Sequence, residues 1–176
     1  MSRREFELTG PGTMETGDVA YMRKAIAWAR KGDAAEGCSP IGCVIVLDGQ
    51  IVGEGYNETE LRHDPTAHAE IVAMRRACMS LGRDGLRGAT LYTTLQPCGM
   101  CSMASIWTKI GRIVYGARRE DVHEMYFEER DRGTVDYVLD AYKDDIALLG
   151  GVLSKECAVF YAGPNEQISV RDQVNR

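Results

Sequence analysis

The chain has little that would suit it to a membrane or to a nucleic-acid backbone. No stretch approaches the roughly 20 apolar residues that a bilayer span needs. The opening Met1-Ser2-Arg3-Arg4-Glu5-Phe6-Glu7 has no apolar run behind its positive charges, so no cleaved leader is expected. Cationic excess is missing as well: 21 Lys and Arg stand against 26 Asp and Glu, a formal net charge of -5. The acidic surplus falls mostly between Glu120 and Asp145. A surface built to grip phosphates is therefore not expected, which argues against a nucleic-acid partner, and the expected location is cytoplasmic. Histidine is scarce, with three in 176 residues, so a metal site using imidazole must draw on His63, His68 or His123. Repeats and low-complexity tracts are absent, and the length suits one compact domain.

Six cysteines are present: Cys38, Cys43, Cys78, Cys98, Cys101 and Cys157. In a chain without an export signal they read as thiols and metal ligands rather than as a disulfide framework. Cys38, Cys43, Cys78 and Cys157 lie beside apolar neighbours and are expected to behave as small buried hydrophobes. Only Cys98 and Cys101 stand at ligand spacing.

Residues 1–15, with Thr9-Gly10-Pro11-Gly12, read as an arm before the fold, residues 16–163 as the domain and 164–176 as a tail. Val19, Met22, Ile26 and Ala29 recur at helical spacing and predict a helix over Asp18–Lys31, stopped by Gly32. Ile41–Leu47, the turn dipeptide Asp48-Gly49 and Ile51-Val52 predict a β-hairpin. Asn57 then opens a loop. A helix is predicted over Thr66–Leu81, with Glu70, Arg75 and Arg76 on its polar face and Gly82 closing it. Thr90–Thr94 reads as a strand, Cys98–Thr108 as a helix begun by Pro97, and Ile110–Tyr115 as the next strand. Val135–Tyr142, Ile146–Leu153 and Ser154–Tyr161 read as helix, strand and helix. Strands alternating with helices predict a three-layer α/β/α sandwich around a central mixed sheet.

His68-Ala69-Glu70, followed beyond residues 71–96 by Pro97-Cys98-Gly99-Met100-Cys101, offers one imidazole and two thiolates to a metal and leaves a carboxylate over. Nitrogen and sulfur donors suit tetrahedral Zn²⁺, and three protein ligands leave one position for water, as catalysis requires. Cys98 and Cys101, three apart at a helix N-terminus, share a face where the helix dipole favours thiolates. His68 and Glu70, two apart, would diverge on a regular helix, so His68 must sit at the helix mouth. Glu70 is then the candidate proton carrier. Taken singly, the cysteines could be a redox dithiol or half a structural zinc site, and His68 a surface histidine. Taken together, H-x-E and P-C-x-x-C form the signature of zinc deaminases that act on bases. His63, in the loop before the site, and His123, in a charged stretch, read as solvated.

From about Tyr21 to Tyr161 the chain resembles the cytidine deaminase-like superfamily, in the branch of guanine deaminases and tRNA adenosine deaminases. Asn57 and His63-Asp64-Pro65-Thr66-Ala67-His68-Ala69-Glu70 are similar to both groups. The resemblance implies zinc held by His68, Cys98 and Cys101, catalysis by Glu70, and Asn57 and Ala69 against the substrate base. Trp107 and Phe127-Glu128-Glu129 are more like guanine deaminase, which implies substrate contacts from Trp107 and Phe127 and a catalytic role for Glu129. The Lys-Thr-Gly-Ala-Ala-Gly type segment that tRNA deaminases carry after Gly116-Ala117-Arg118 is missing. Gln96, Ser102-Met103-Ala104 and the two Glu in place of Asp depart from both patterns. The implied substrate is a small nucleobase-like molecule, a guanine-like purine above a nucleoside or nucleotide, and the implied assembly is a homodimer.

Overall fold

The computed structural model describes residues 14–118, 121–123, 136 and 146–163. The predicted arm up to residue 13, the tail from 164, and Phe127, Glu128 and Glu129 lie outside the described residues, as does the predicted helix over 135–142 apart from Asp136. Among the described residues, five strands form one mixed sheet in the order β2-β1-β3-β4-β5. They are β1 (Gly42–Leu47), β2 (Gln50–Tyr56), β3 (Thr90–Leu95), β4 (Arg112–Ala117) and β5 (Ala147–Gly150). The helices are α1 (Asp18–Asp33), the short α2 (Thr59–Arg62), α3 (Ala69–Leu81), α4 (Gly99–Trp107) and α5 (Ser154–Ala158), the last followed by a 3-10 turn over Val159–Tyr161. The expected three-layer sandwich is what forms. No described helix is long and apolar enough to cross a membrane.

The hairpin turns at Asp48 and Gly49, both at positive φ (50° and 76°), the geometry whose twist matches its antiparallel strands. β1 also pairs antiparallel with β3, whereas β3–β4 and β4–β5 are parallel. Parallel neighbours need a crossover, and α4 supplies the one between β3 and β4.

Side chains alternate across the sheet and sort the helices into two layers. Tyr92 on β3 and Arg112 on β4 reach Asp18 at the start of α1, while Gly116 on β4 lies under Cys157 of α5. Gly53 and Gly55 on β2 face α3 instead. A Cβ on Gly53 would lie 2.3 Å from the Ala73 carbonyl oxygen, so α3 sits directly on the strand backbone. Met22, Ile26 and Ala29 carry α1 into the core, as the sequence pattern predicts; Ala25 joins them, and Val19 is only half-buried.

Asp18, at the start of the predicted helix, is fully buried. Its carboxylate accepts from Arg112 at 2.8 and 2.9 Å, from the Tyr92 hydroxyl at 2.9 Å and from the Glu15 amide at 2.7 Å. Burial pulls its pKa up, but these hydrogen bonds outweigh that and hold it below the ordinary 3.8.

Candidate active site

β2 and β3 run in the same direction, each antiparallel to β1, so both end at the same end of the sheet, from which the chain leads into α3 and α4. The loop after β2 leads into α3 through His68, and Pro97-Cys98 leads from β3 into α4. His68 is the N-cap of α3 and Cys98 the N-cap of α4; both are extended, with ψ 155° and 173°, and neither side chain caps its own helix. That extended turn resolves the spacing problem: His68 leaves the helical path, so its ring and the Glu70 side chain, two residues on, can serve one site. The Cys98 carbonyl is gripped by the Ser102 amide at 2.9 Å and the Ser102 hydroxyl at 2.8 Å, which fixes the turn. The unusual Ser102 therefore has a structural task that pattern reading did not show.

The ligand atoms of His68, Cys98 and Cys101 all lie within 4.8 Å of one another. Each sulfur is 3.6 Å from His68 Nδ1. A tetrahedral zinc with bonds of about 2.3 Å to sulfur and 2.0–2.1 Å to nitrogen requires an S···N edge of roughly 3.5–3.6 Å, so both imidazole–sulfur edges already have tetrahedral spacing. Protonation fits as well. A hydrogen bond from the Cys101 thiol, working against burial, and then His68 bring Cys98 down to about 4, while Cys101, as donor of that bond and buried, is pushed well above the usual thiol range. Among the protein groups the sulfur pair thus keeps one proton, which a divalent cation would release.

Glu70 corrects the sequence reading. Helical spacing puts it on the polar face with Arg75 and Arg76, but it is 3% exposed, with its carboxyl against Cys101. Burial, followed by the negative Cys98, pushes its pKa up to about 6, and His68 opposes the rise. Ala69, between the two functional positions, is fully buried.

Asn57 lies in the loop at the end of β2 and is 6% exposed. Its Oδ1 accepts from the Thr59 amide at 3.1 Å and the Thr59 hydroxyl at 2.9 Å, so the oxygen is committed and the Nδ2 hydrogens form the free end. Turn residue and ligand donor are compatible roles here. Trp107 ends α4 at 79% exposure and does not join the cluster; six residues at about 1.5 Å each carry it roughly 9 Å along the axis from Cys101. Of the other cysteines, Cys43 and Cys157 are fully buried and their pKa values are raised, by burial above all, as expected of packing residues. Cys38 and Cys78 are only partly buried. His63 is exposed, and His123 is half-buried, its amide bonded to the Tyr161 carbonyl.

Residues 15–117 match the family described as "Cytidine and deoxycytidylate deaminase zinc-binding region". The chain belongs to this family. It is therefore a zinc-dependent deaminase, a hydrolase acting on C–N bonds. The tRNA-specific adenosine deaminase of Bacillus subtilis is 35% identical over 146 residues, 81% of this chain and 84% of that one. The guanine deaminase of the same organism is 39% identical over 109 residues, 62% of this chain and 70% of its own length. A solved structure from work on A-to-I editing by tRNA:A34 deaminases superposes with TM-score 0.66 at 34% identity, covering 80% of this chain and 98% of that one. This deaminase thus has relatives that act on tRNA and on a free base.

Proposed function

We propose that this deaminase removes the amino group of a purine hydrolytically, with a free guanine-like base as the favoured substrate and Glu70 as the proton carrier. The observation that carries the reading is the Glu70 carboxyl, buried at 3% exposure against Cys101. Zinc in the His68, Cys98, Cys101 site supplies Lewis acidity that brings the pKa of a water molecule toward neutrality. Glu70 accepts the proton of the attacking water and delivers it to the departing amino nitrogen. A C–O bond forms at the amino-bearing carbon, the C–N bond breaks, and ammonia leaves. Asn57 Nδ2 donates to an acceptor on the base and Ala69 lines its plane.

Phe127 and Glu129, the -5 charge and the absent tRNA-type segment support a free base over an RNA. The resemblance to guanine deaminases supports a substrate contact from Phe127 and a catalytic role for Glu129. A second reading, adenosine within tRNA, is favoured by the Bacillus subtilis relative that matches 81% of the chain. The exposed pair Met103 and Trp107, one helical turn apart, is read as the homodimer face. The six free thiols fit a cytoplasmic location.

The test is ammonia release by zinc-loaded protein from guanine, from cytidine and deoxycytidylate, and from an anticodon stem-loop RNA bearing adenosine. Guanine is expected to give the highest kcat/KM. Preference for the RNA would replace the substrate, and no release from any of them would overturn the reading.

A further inference from the structure

Next to Asn57 stands a buried carboxylate that the chemistry above does not use. Glu58 is 2% exposed. Its Oε1 accepts from Arg76 Nη2 at 2.8 Å and its Oε2 from Arg62 Nε. Arg76 donates its other terminal nitrogen to the Glu54 carbonyl at 2.9 Å, which ties the same guanidinium to β2. Its path over the strand is open because Gly55 has no side chain; a Cβ there would lie 3.0 Å from Arg76 Nη1. The Glu58 amide, in turn, donates to the Ala67 carbonyl at 2.9 Å, one residue before His68.

These bonds converge on the two ends of a single loop. Residues 57–68 begin with the substrate amide and end with a metal ligand. Glu58 joins those ends to each other through its backbone, and to α3 and α2 through its side chain. The neighbouring Arg75 holds the middle of the loop, donating to Asp64 at 3.1 Å, while Asp64 turns back on the Thr66 amide at 2.8 Å. That second pair is exposed and competes with water, whereas the Glu58 carboxylate is out of water and satisfied by two cations. The arginines themselves are 40% and 47% exposed at their side chains, so the buried charge whose partners matter is Glu58.

We propose that Glu58 is a positioning residue: held by Arg76 and Arg62, it fixes the Asn57 side chain relative to the metal centre and so sets substrate affinity, not proton transfer. The proposal rests on the reading of Asn57 as a substrate donor. Its physical content is that an amide aimed from a loop loses affinity when the loop acquires alternative positions, because the bound geometry must then be selected from them. An isolated change at the metal or at Glu70 would act on kcat and zinc instead.

The experiment uses the full-length zinc-loaded protein with Glu58→Gln, Glu58→Asp, Asn57→Ala and the double variant Asn57→Ala/Glu58→Gln. Ammonia release is followed from guanine, or from the stem-loop RNA if that is the preferred substrate. Glu58→Gln is expected to raise KM about fivefold or more with kcat within about twofold and zinc content unchanged. Glu58→Asp should recover part of the loss. In the Asn57→Ala background Glu58→Gln should add almost nothing, since its target is gone. Additive effects in the double variant would overturn the proposal. A wild-type KM for Asn57→Ala would instead sink the reading of Asn57. A second readout needs no substrate: hydrogen exchange at the Thr59 amide, which is bonded to Asn57 Oδ1, should accelerate about tenfold or more in Glu58→Gln. Wild-type protection there would overturn the proposal whatever the activity. If Glu58→Gln fails to fold, Arg62→Gln removes one of the two cations from the exposed side and should give smaller changes of the same pattern; no change in KM or Thr59 exchange would be decisive against it.

Discussion

Replacing Gly53 with Ala tests whether the close seat of α3 on β2 governs the metal centre. The added Cβ would meet the Ala73 carbonyl oxygen at 2.3 Å and the Ala77 Cβ and amide nitrogen at 2.7 Å. Ordinary contact between such atoms is about 3.5 Å, so α3 must withdraw by roughly 1 Å. Overpacking of this kind costs about 1–3 kcal/mol. For a domain of this size each kcal/mol lowers Tm by about 2–4 °C, giving an expected drop of roughly 2–12 °C by calorimetry. The functional effect should be larger than the thermal one suggests. His68 is the N-cap of α3, and its ring nitrogen lies 3.6 Å from both sulfurs, which belong to α4. A 1 Å withdrawal of α3 alone opens that spacing beyond what a tetrahedral centre tolerates, so zinc affinity in a chelator competition should fall at least about tenfold. Gly82→Ala is the control: that glycine has left-handed φ 62° but open space around its Cβ, so it should cost stability and leave zinc affinity unchanged. Wild-type zinc affinity in Gly53→Ala, or equal losses in both variants, would refute the link between strand contact and metal geometry.

Cys98→Ala and Cys101→Ala should each lose most bound zinc, measured by metal analysis after dialysis, because each removes one of three protein donors. Glu70→Gln should keep zinc and lose turnover by about 100-fold or more, since an amide cannot shuttle a proton; zinc loss in that variant would make Glu70 a ligand. Asp18→Asn should lower stability to urea at neutral pH by about 1.5–3 kcal/mol, because Arg112 and Tyr92 lose a charged acceptor and the more exposed Glu15, 3.6 Å from Arg112, replaces it only in part. The Asp18 pKa is lowered in the fold, so its contribution is fully present above the ordinary value of 3.8 and disappears as pH falls through that value toward the lower folded one. The gap between wild type and Asp18→Asn should therefore be constant from neutrality to mildly acidic pH and close below it; a gap that persisted at lower pH would assign the effect to packing.

The parts that were legible in sequence have local causes. The hairpin follows from Asp48-Gly49, α1 from Met22, Ile26 and Ala29, and the metal cluster from two motifs each tied to a helix start. Three features escaped because their causes are distant in sequence. Glu70 counts as polar in any periodicity, so its burial beside Cys101 cannot be read from helical spacing. Asp18 and Arg112, 94 residues apart, have nothing local that announces their pairing. Glu58 and Arg76 are 18 apart and meet where the arginine passes close over Gly55. The loop expected after Asn57 contains the short helix α2, a single turn that ends at His63 with left-handed φ 50°. The strand expected over Ile110–Tyr115 is displaced to Arg112–Ala117, because the Lys109 turn at φ 61° and the bonds of Ile110 and Gly111 to Ser105 and Ala89 belong to the crossover.

The strand order has a consequence for assembly. His68 is carried by the unit of β2 and α3, and the two cysteines follow β3, yet β2 and β3 do not pair; β1 lies between them. The imidazole and the sulfurs therefore come to 3.6 Å only if both ladders of β1 are in register, including the irregularity between Ile45 and Val46. A slip of one residue in either ladder moves a donor by about 3.3 Å and turns alternate side chains to the opposite face. Misregistered chains cannot offer three converging donors, so metal uptake discriminates among folded species. The three donors that would hold zinc therefore converge only where β1 is paired correctly on both sides, which ties the metal site to the register of the whole sheet.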